Sequence, residues 1–145
     1  MRKIRSKILF CTVALAVLAG CRSTPDEALI RQGIDAAANA AEHAHASALA
    51  EVLSEDFDGN AGALARSDLL QLLRAAALRG ETIHALSGPV ELEQRGERYV
   101  ARFTVTLTSG GKLLPAQMGV YQVETAWRRD GHQWLCYSAT WVPQM

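Results

Sequence analysis

The chain has 145 residues, which is room for one domain and little more. Its formal net charge is zero, but four of its fifteen basic residues precede Cys21 while all fifteen acidic residues follow it, so the remainder carries a net charge of −4. A mildly acidic domain has no general electrostatic attraction for nucleic acid, and we expect no nucleic-acid partner. After Cys21 the sequence contains a single cysteine, Cys136, which excludes an internal disulfide and a cysteine zinc site.

The first twenty residues have the pattern of a secretory signal peptide. Residues 1–7 are basic, and residues 8–20 are apolar, carry no charge and end in small side chains. A helix of that apolar length rises about 20 Å, short of the roughly 30 Å hydrocarbon core of a bilayer. We therefore predict that residues 1–20 are a removable leader and do not form a stable membrane-spanning helix.

The leader ends in Leu18-Ala19-Gly20-Cys21. This stretch resembles the lipobox of bacterial lipoproteins at every position. The resemblance implies cleavage between Gly20 and Cys21, a diacylglycerol and palmitate on Cys21, and a short lipidated tether at 21–24 that makes the membrane a partner. By the same resemblance, Arg22 in place of an aspartate favours the outer membrane, with the domain facing the periplasm, over the inner membrane.

The first half of the remaining chain has helical periodicity. Thr24, Pro25 and Glu27 form a capping-box pattern that predicts a helix over 25–42, and alanine is abundant within it. A second, short helix is predicted at 47–53 and a third at 68–79, capped by Ser67 and ended by Gly80. The acidic, glycine-containing stretch 54–62 is predicted to be a loop.

After Gly80 the apolar period changes from 3.6 to 2, which predicts strands. The most regular of them lies at 99–108, and Asp130-Gly131 predicts a tight hairpin before the last strand. Helices followed by an antiparallel meander indicate an α+β fold. The predicted strands are 83–86, 90–94, 99–108, 118–129 and 133–142.

The last predicted strand is apolar on both of its faces. Trp134 and Cys136 lie on one face, and the other face is formed by Leu135, Tyr137, Ala139 and Trp141. A strand without a polar face is covered on both sides. The helices can cover one side, so the pattern predicts a partner subunit on the other side and a homodimer formed through the sheet.

The stretch 48–57, the helix after Ser67 and the closing segment Trp127-Arg-Arg-Asp-Gly-His-Gln-Trp134 resemble the NTF2-like (SnoaL-like) superfamily. The resemblance covers 25–143 as one domain. It implies helices folded over a curved antiparallel sheet, forming a cone with a pocket at its open end. Members include ketosteroid isomerases, dehydratases, ring-hydroxylating subunits and non-enzymatic binding modules, so the fold alone does not fix the chemistry.

Catalytic members of that superfamily place an acid or base in the cone. The candidates here are Asp56, His84, Tyr121 and Tyr137. For Asp56 and His84, a turn residue and a structural histidine are the simpler interpretations. His43 and His45 are two residues apart, which does not place them on one helix face as a metal pair would require. The sequence contains no phosphate-binding loop or nucleophile motif, and neither a metal nor a cofactor is predicted.

Two functions from different classes remain open. The first is a non-catalytic envelope lipoprotein that binds a small apolar ligand or a protein partner, with Phe103, Tyr121 and Trp127 lining the cone. All three side chains could equally be core. The alternative is a ketosteroid-isomerase-like or dehydratase-like enzyme that uses one acid/base group in the cone. The position of Asp56 and His84 relative to the cavity distinguishes the two.

Overall fold

The computed structural model of the chain describes residues 24–111 and 114–145. The leader and the lipobox, with Gly20 and Cys21, lie outside the described residues. No helix within the described residues combines the length and the apolar character that crossing a membrane requires. The elements in chain order are α1 Pro25–Glu42, α2 Ala46–Val52, β1 Leu53–Gly59, β2 Leu64–Ala65, α3 Arg66–Leu78, β3 Thr82–Ser87, β4 Glu91–Arg95, β5 Arg98–Gly111, β6 Leu114–Asp130 and β7 Gln133–Pro143.

The helices form close to where the sequence predicts them. The bounds of α1 match the prediction, and the Thr24 hydroxyl accepts a hydrogen bond from the Glu27 amide at 3.2 Å. The predicted cap of α3 is wrong, because that helix starts from Ala65 and not from Ser67. Asp68, in the first turn, accepts a hydrogen bond from the Ala65 amide at 3.2 Å and so satisfies a free donor at this end of the helix.

The helices pack on one face of a curved seven-stranded sheet whose strand order is β2-β1-β7-β6-β5-β3, with β4 paired to the first part of β5. The α+β class is therefore confirmed. The strand pairs are antiparallel except that β1 runs parallel to β7, which makes the sheet mixed. The parallel pair arises because the chain enters the sheet between α2 and α3, before the meander begins.

The prediction of a loop over 54–62 is wrong for most of its length. This stretch supplies strand β1, in which Phe57 and Gly59 are buried while the acidic side chains between and before them are more exposed. The turn comes later, where Asn60 adopts a positive φ of 49°. The Asn60 side-chain oxygen accepts a hydrogen bond from the Trp141 amide at 2.9 Å, which continues the pairing of β1 with β7 beyond the strand.

A bulge in β7 changes the assignment of its faces. Trp127 pairs with Cys136 but Ala126 pairs with Ser138, so Tyr137 is the additional residue. The alternation shifts by one residue there, and Ala139 and Trp141 lie on the same concave side as Cys136. The prediction of two apolar faces is therefore wrong. The homodimer was predicted from that second apolar face, so this argument for it no longer holds. The homodimer itself stays a prediction.

Helix α1 reaches the sheet through a glycine. A Cβ atom on Gly33 would lie 2.7 Å from Cζ3 and 2.9 Å from Cη2 of Trp127. The Trp127 indole is only 1% exposed, and its Nε1 donates to the Thr125 hydroxyl at 2.8 Å. The indole is thus fixed by packing and by a hydrogen bond, and the absent side chain of Gly33 allows α1 to lie directly on it.

We predict that Gly33→Ala destabilises the domain. Alanine raises helix propensity by about 1 kcal/mol over glycine, but its Cβ overlaps the fixed indole, and overpacking of this kind costs about 1–3 kcal/mol. The free energy of unfolding in urea should fall, and the near-UV circular dichroism of Trp127 should change.

The adjacent exposed residue Gln32 supplies the control. Gln32→Ala increases helix propensity on the same turn without approaching Trp127 and should leave stability within about 0.5 kcal/mol of wild type. A Gly33→Ala protein as stable as Gln32→Ala would show that α1 does not depend on this close contact.

Candidate functional site

A cavity of about 190 Å³ lies between the helices and the concave face of the sheet. We call it the inner cavity. Its walls are contributed by α1, α2, α3 and five of the strands, and nearly all of its lining side chains are apolar. The largest lining residues are the four aromatic ones, Phe57, Phe103, Trp127 and Trp141.

The polar groups on the described wall of the inner cavity are neutral. They belong to Ser87, Thr125 and Cys136. The Thr125 hydroxyl already accepts a hydrogen bond from the Trp127 indole, and the Cys136 thiol donates to the Ser138 carbonyl at 3.3 Å. Burial raises the pKa of Cys136 to about 12, so the thiol is protonated at neutral pH and is a poor nucleophile.

The inner cavity continues into a groove of about 360 Å³, which we call the outer groove. The two share Leu69, Val105 and Trp141. The rest of the outer groove is lined by Leu107, Tyr121 and Val123, and the Tyr121 hydroxyl is the polar side-chain group on its described lining.

The outer groove opens to solvent through a wider mouth of about 470 Å³. Arg79 and Glu81 lie at this mouth and form an ion pair at 2.6 Å. The Tyr121 ring lies over Gly119, where a Cβ atom would be 2.9 Å from the tyrosine hydroxyl oxygen. The missing side chain of Gly119 thus allows Tyr121 to lie flat along the wall of the mouth.

The three residues proposed as lining all face this continuous space. Phe103 and Trp127 line the inner cavity, and Tyr121 lines the outer groove and the mouth. Phe103 is 7% and Trp127 is 1% exposed, so both are also core residues. The distinction between lining and core therefore does not apply to these two side chains, since one face of each packs and another borders the cavity.

Asp56 and His84 do not face the cavity. Asp56 lies on an exposed part of β1, where Arg128 donates to both of its carboxylate oxygens at 2.5 and 3.0 Å. This guanidinium lowers the pKa of Asp56 to about 2. His84 is exposed and pairs with Thr108 on the convex side of the sheet. Neither side chain can therefore exchange a proton with a molecule in the inner cavity.

Sequence reasoning missed two of the large lining residues, Phe57 and Trp141. Phe57 is surrounded by acidic residues, so the sequence around it predicts a loop and not strand β1. Strict alternation places Trp141 on the opposite face, because the bulge at Tyr137 has no sequence signature here. An isolated aromatic residue within an acidic stretch was the one signal that could have identified Phe57.

Comparison with solved structures identifies an NTF2-like fold. A candidate scytalone dehydratase from Novosphingobium aromaticivorans superposes with a TM-score of 0.74 at 15% identity, covering 83% of this chain and 85% of that one. A candidate dehydratase of the NTF2-like family from Streptomyces avermitilis gives 0.71 at 16% identity, covering 84% and 99%. An NTF2-like protein with a cystatin-like fold, also from N. aromaticivorans, gives 0.65 at 20% identity, covering 80% of each chain.

No protein-family model matches the sequence, and no curated protein matches it. At these identities the structural likeness establishes the fold and leaves the chemistry open. Within the part of the chain that the structure describes, no three histidine, cysteine or acidic side chains converge as a metal site would require.

The Asp56–Arg128 pair gives a prediction about acid stability. The pKa of Asp56 is about 2 in the folded state against 3.8 for the free side chain. Its contribution to stability is therefore complete above about pH 4 and is lost as the pH falls toward 2. We predict that Asp56→Asn is less stable than wild type at neutral pH and that the two converge near pH 2 in urea titrations.

Asp35→Asn is the matched control, because it removes an exposed carboxylate on α1 that forms no ion pair among the described residues. Its stability difference from wild type should not follow that pH profile. A difference for Asp56→Asn that is independent of pH would contradict the ion-pair interpretation and point to an altered strand β1 instead.

Proposed function

We propose that this protein is a bacterial lipoprotein whose NTF2-like domain binds a small, uncharged, apolar ligand in the inner cavity without converting it. The observation that carries the proposal is an apolar cavity that connects to solvent through an apolar groove, with no charged side chain on the described inner wall. A charged ligand group would lose its hydration there and gain no partner.

The dimensions of the cavity limit the ligand. An apolar protein cavity of about 150 Å³ is large enough to bind benzene, so the inner cavity, at about 190 Å³, accommodates one six-membered ring or a short branched chain. The outer groove adds apolar space in line with it. An elongated molecule with one ring-sized end fits this shape, and its more polar end would lie beside Arg79 and Glu81 at the mouth.

A dehydratase or isomerase is the competing proposal, and the names of two of the structural relatives favour it. Such chemistry requires an acid or base within hydrogen-bond reach of the substrate. The described wall of the inner cavity offers a threonine whose hydroxyl is already bonded, a serine and a thiol with a raised pKa. Farther out, the Tyr121 hydroxyl lines the outer groove, and the Glu81 carboxylate at the mouth is held in an ion pair with Arg79. The inner-cavity groups can orient a ligand but are poorly suited to moving its protons, so ligand binding is the better-supported function for this cavity.

Membrane attachment is the second part of the proposal, and it rests on the lipobox at Leu18–Cys21. A single acyl chain binds a bilayer reversibly, whereas the two or three chains of a bacterial lipoprotein give durable attachment. With Arg22 after the lipidated cysteine, the proposed location is the periplasmic face of the outer membrane.

Ala139→Phe should abolish most ligand binding, because the ring would occupy the inner cavity that Ala139 lines. The probe is the uncharged dye N-phenyl-1-naphthylamine, detected by energy transfer from Trp127 and Trp141, which line the same space. We expect the dissociation constant to rise by at least about tenfold, or about 1.4 kcal/mol.

The control is Thr140→Phe, which places the same ring on the next residue of β7, where the side chain is exposed. It should bind the dye as wild type does. Failure of the wild-type protein to bind the dye, or an equal loss in both variants with their fold intact, would contradict the proposed ligand site.

Cys21→Ala tests the anchor. In a bacterial host, wild-type protein should incorporate radiolabelled palmitate and fractionate with membranes, whereas the variant should remain unlabelled and retain its leader, because the processing peptidase requires the lipidated cysteine. Cys136→Ala is the control, since that thiol is buried far along the chain and should not affect labelling. Labelled Cys21→Ala protein would refute lipidation at this residue.

A further inference from the structure

The start of α1 and the mouth of the cavity lie at opposite ends of the domain. In the first turn of α1, Asp26 accepts hydrogen bonds from Arg129 and from the Trp134 indole, the latter at 3.1 Å. Both partners flank the β6–β7 turn. The first turn of α1 is therefore packed against the turn end of the sheet.

At the other end of α1, Ala41 lines the mouth together with Gln117 and Met118. The Glu42 carboxylate accepts a hydrogen bond from the Ala85 amide at 3.0 Å, which fixes this end of the helix to β3. From Asp26 to Ala41 an α-helix rises about 22 Å. The mouth is thus separated from the start of the domain by most of the length of α1.

The surface around the start of α1 has a distinct composition, and we call it the arginine end. It combines the first turn of α1 with the β4–β5 and β6–β7 turns around an open polar depression of about 590 Å³. The depression is lined by three arginines and two carboxylates, which gives its lining a net charge of +1; they are Arg98, Arg128, Arg129, Asp26 and Glu97.

The three arginines retain donors for further contacts. Arg98 is exposed, stacks 5.2 Å from the centre of the Tyr137 ring and forms no ion pair among the described residues. Arg129 is paired with Asp26, but 48% of its side chain is exposed. A guanidinium has five N–H donors, so a carboxylate partner leaves others available for a phosphate.

We infer that the arginine end rests on the phospholipid headgroups and that the mouth of the cavity opens away from the anchoring membrane. This inference rests on the proposed lipidation of Cys21. Only Arg22 and Ser23 separate Cys21 from Thr24. Three Cα–Cα steps of an extended chain therefore place the start of α1 at most about 11 Å from the lipidated residue. The tether therefore holds the arginine end, and not the mouth, within reach of the headgroups.

The charges on α1 disfavour the alternative of a domain lying on its side along this helix. The exposed flank of α1 includes Asp35 and Glu42, and Arg31 is turned inward, where it donates to the Val90 carbonyl at 2.8 Å. An anionic bilayer repels such a flank and attracts exposed arginines within a Debye length of its surface. An apolar ligand would consequently enter from the aqueous side and not directly from the anchoring leaflet.

The test uses the full lipidated protein in vesicles of phosphatidylethanolamine and phosphatidylglycerol. One fluorophore is attached in the variant His132→Cys, at the exposed β6–β7 turn, and another in Met118→Cys, at the mouth, where the methionine is 77% exposed. Lipids with a nitroxide on the headgroup quench only nearby fluorophores. We expect quenching at position 132 to be several-fold stronger than at position 118, and labelling of the buried Cys136 to be negligible.

Charge reversal adds a second measurement. Arg98→Glu should reduce quenching at position 132, and Arg74→Glu, an identical charge change on α3, should not. Equal quenching at both positions, or stronger quenching at position 118, overturns the orientation while leaving the anchor intact. Protein that does not float with the vesicles overturns the anchor and the orientation together, and dye binding by that protein still reports on the ligand site independently.

Discussion

The contact between Gly33 and Trp127 determines how the helical layer meets the sheet. Because a Cβ atom at position 33 would lie 2.7 Å from the indole, α1 can approach the strands this closely only with glycine there. The same indole borders the inner cavity. Trp127 therefore sets both the distance between α1 and the sheet and the shape of the cavity between them. Packing elsewhere, such as the edge-to-face contact of Tyr99 with Trp134 at 5.3 Å, extends the same layer toward the start of α1.

The bulge at Tyr137 has an equally direct effect on the cavity. Without it, Ala139 and Trp141 would point to the convex side, and the concave face would end at Cys136. With it, β7 contributes apolar side chains along its whole length to the concave side, and Tyr137 turns outward to stack with Arg98 and Arg128. A single additional residue thus enlarges the apolar interior. The arginines outside it are brought together by the pairing of β5 with β6, in which Arg98 lies opposite Arg128.

Much of the fold was predictable because it follows from local periodicity and capping. The limits of α1, the alternation of β5 and the Asp130-Gly131 turn all arise from interactions between neighbouring residues. The errors have non-local causes. Strand β1 is acidic and forms because β7 and β2 pair with it. The faces of β7 depend on a register shift against β6. Among the site residues, Phe103 and Trp127 were predictable from strand alternation, whereas Asp56 was selected for its chemistry, and an ion pair across the sheet holds it outside the cavity.

An apolar cavity of this size also bears on stability. Empty apolar volume costs roughly 24 cal/mol per Å³ in mutational series. An unfilled inner cavity of about 190 Å³ therefore lowers the free energy of unfolding by a few kcal/mol, in a domain whose total stability is of the order of 10 kcal/mol. A sequence under selection for stability alone could fill this space by enlarging Ala139 or Ala85, both of which line it. Small residues at these positions are better explained by a ligand that occupies the space, because a ligand that binds only the folded state restores the missing contacts and adds to stability by mass action. The cost of the cavity and its apolar lining therefore both favour the proposed ligand-binding function.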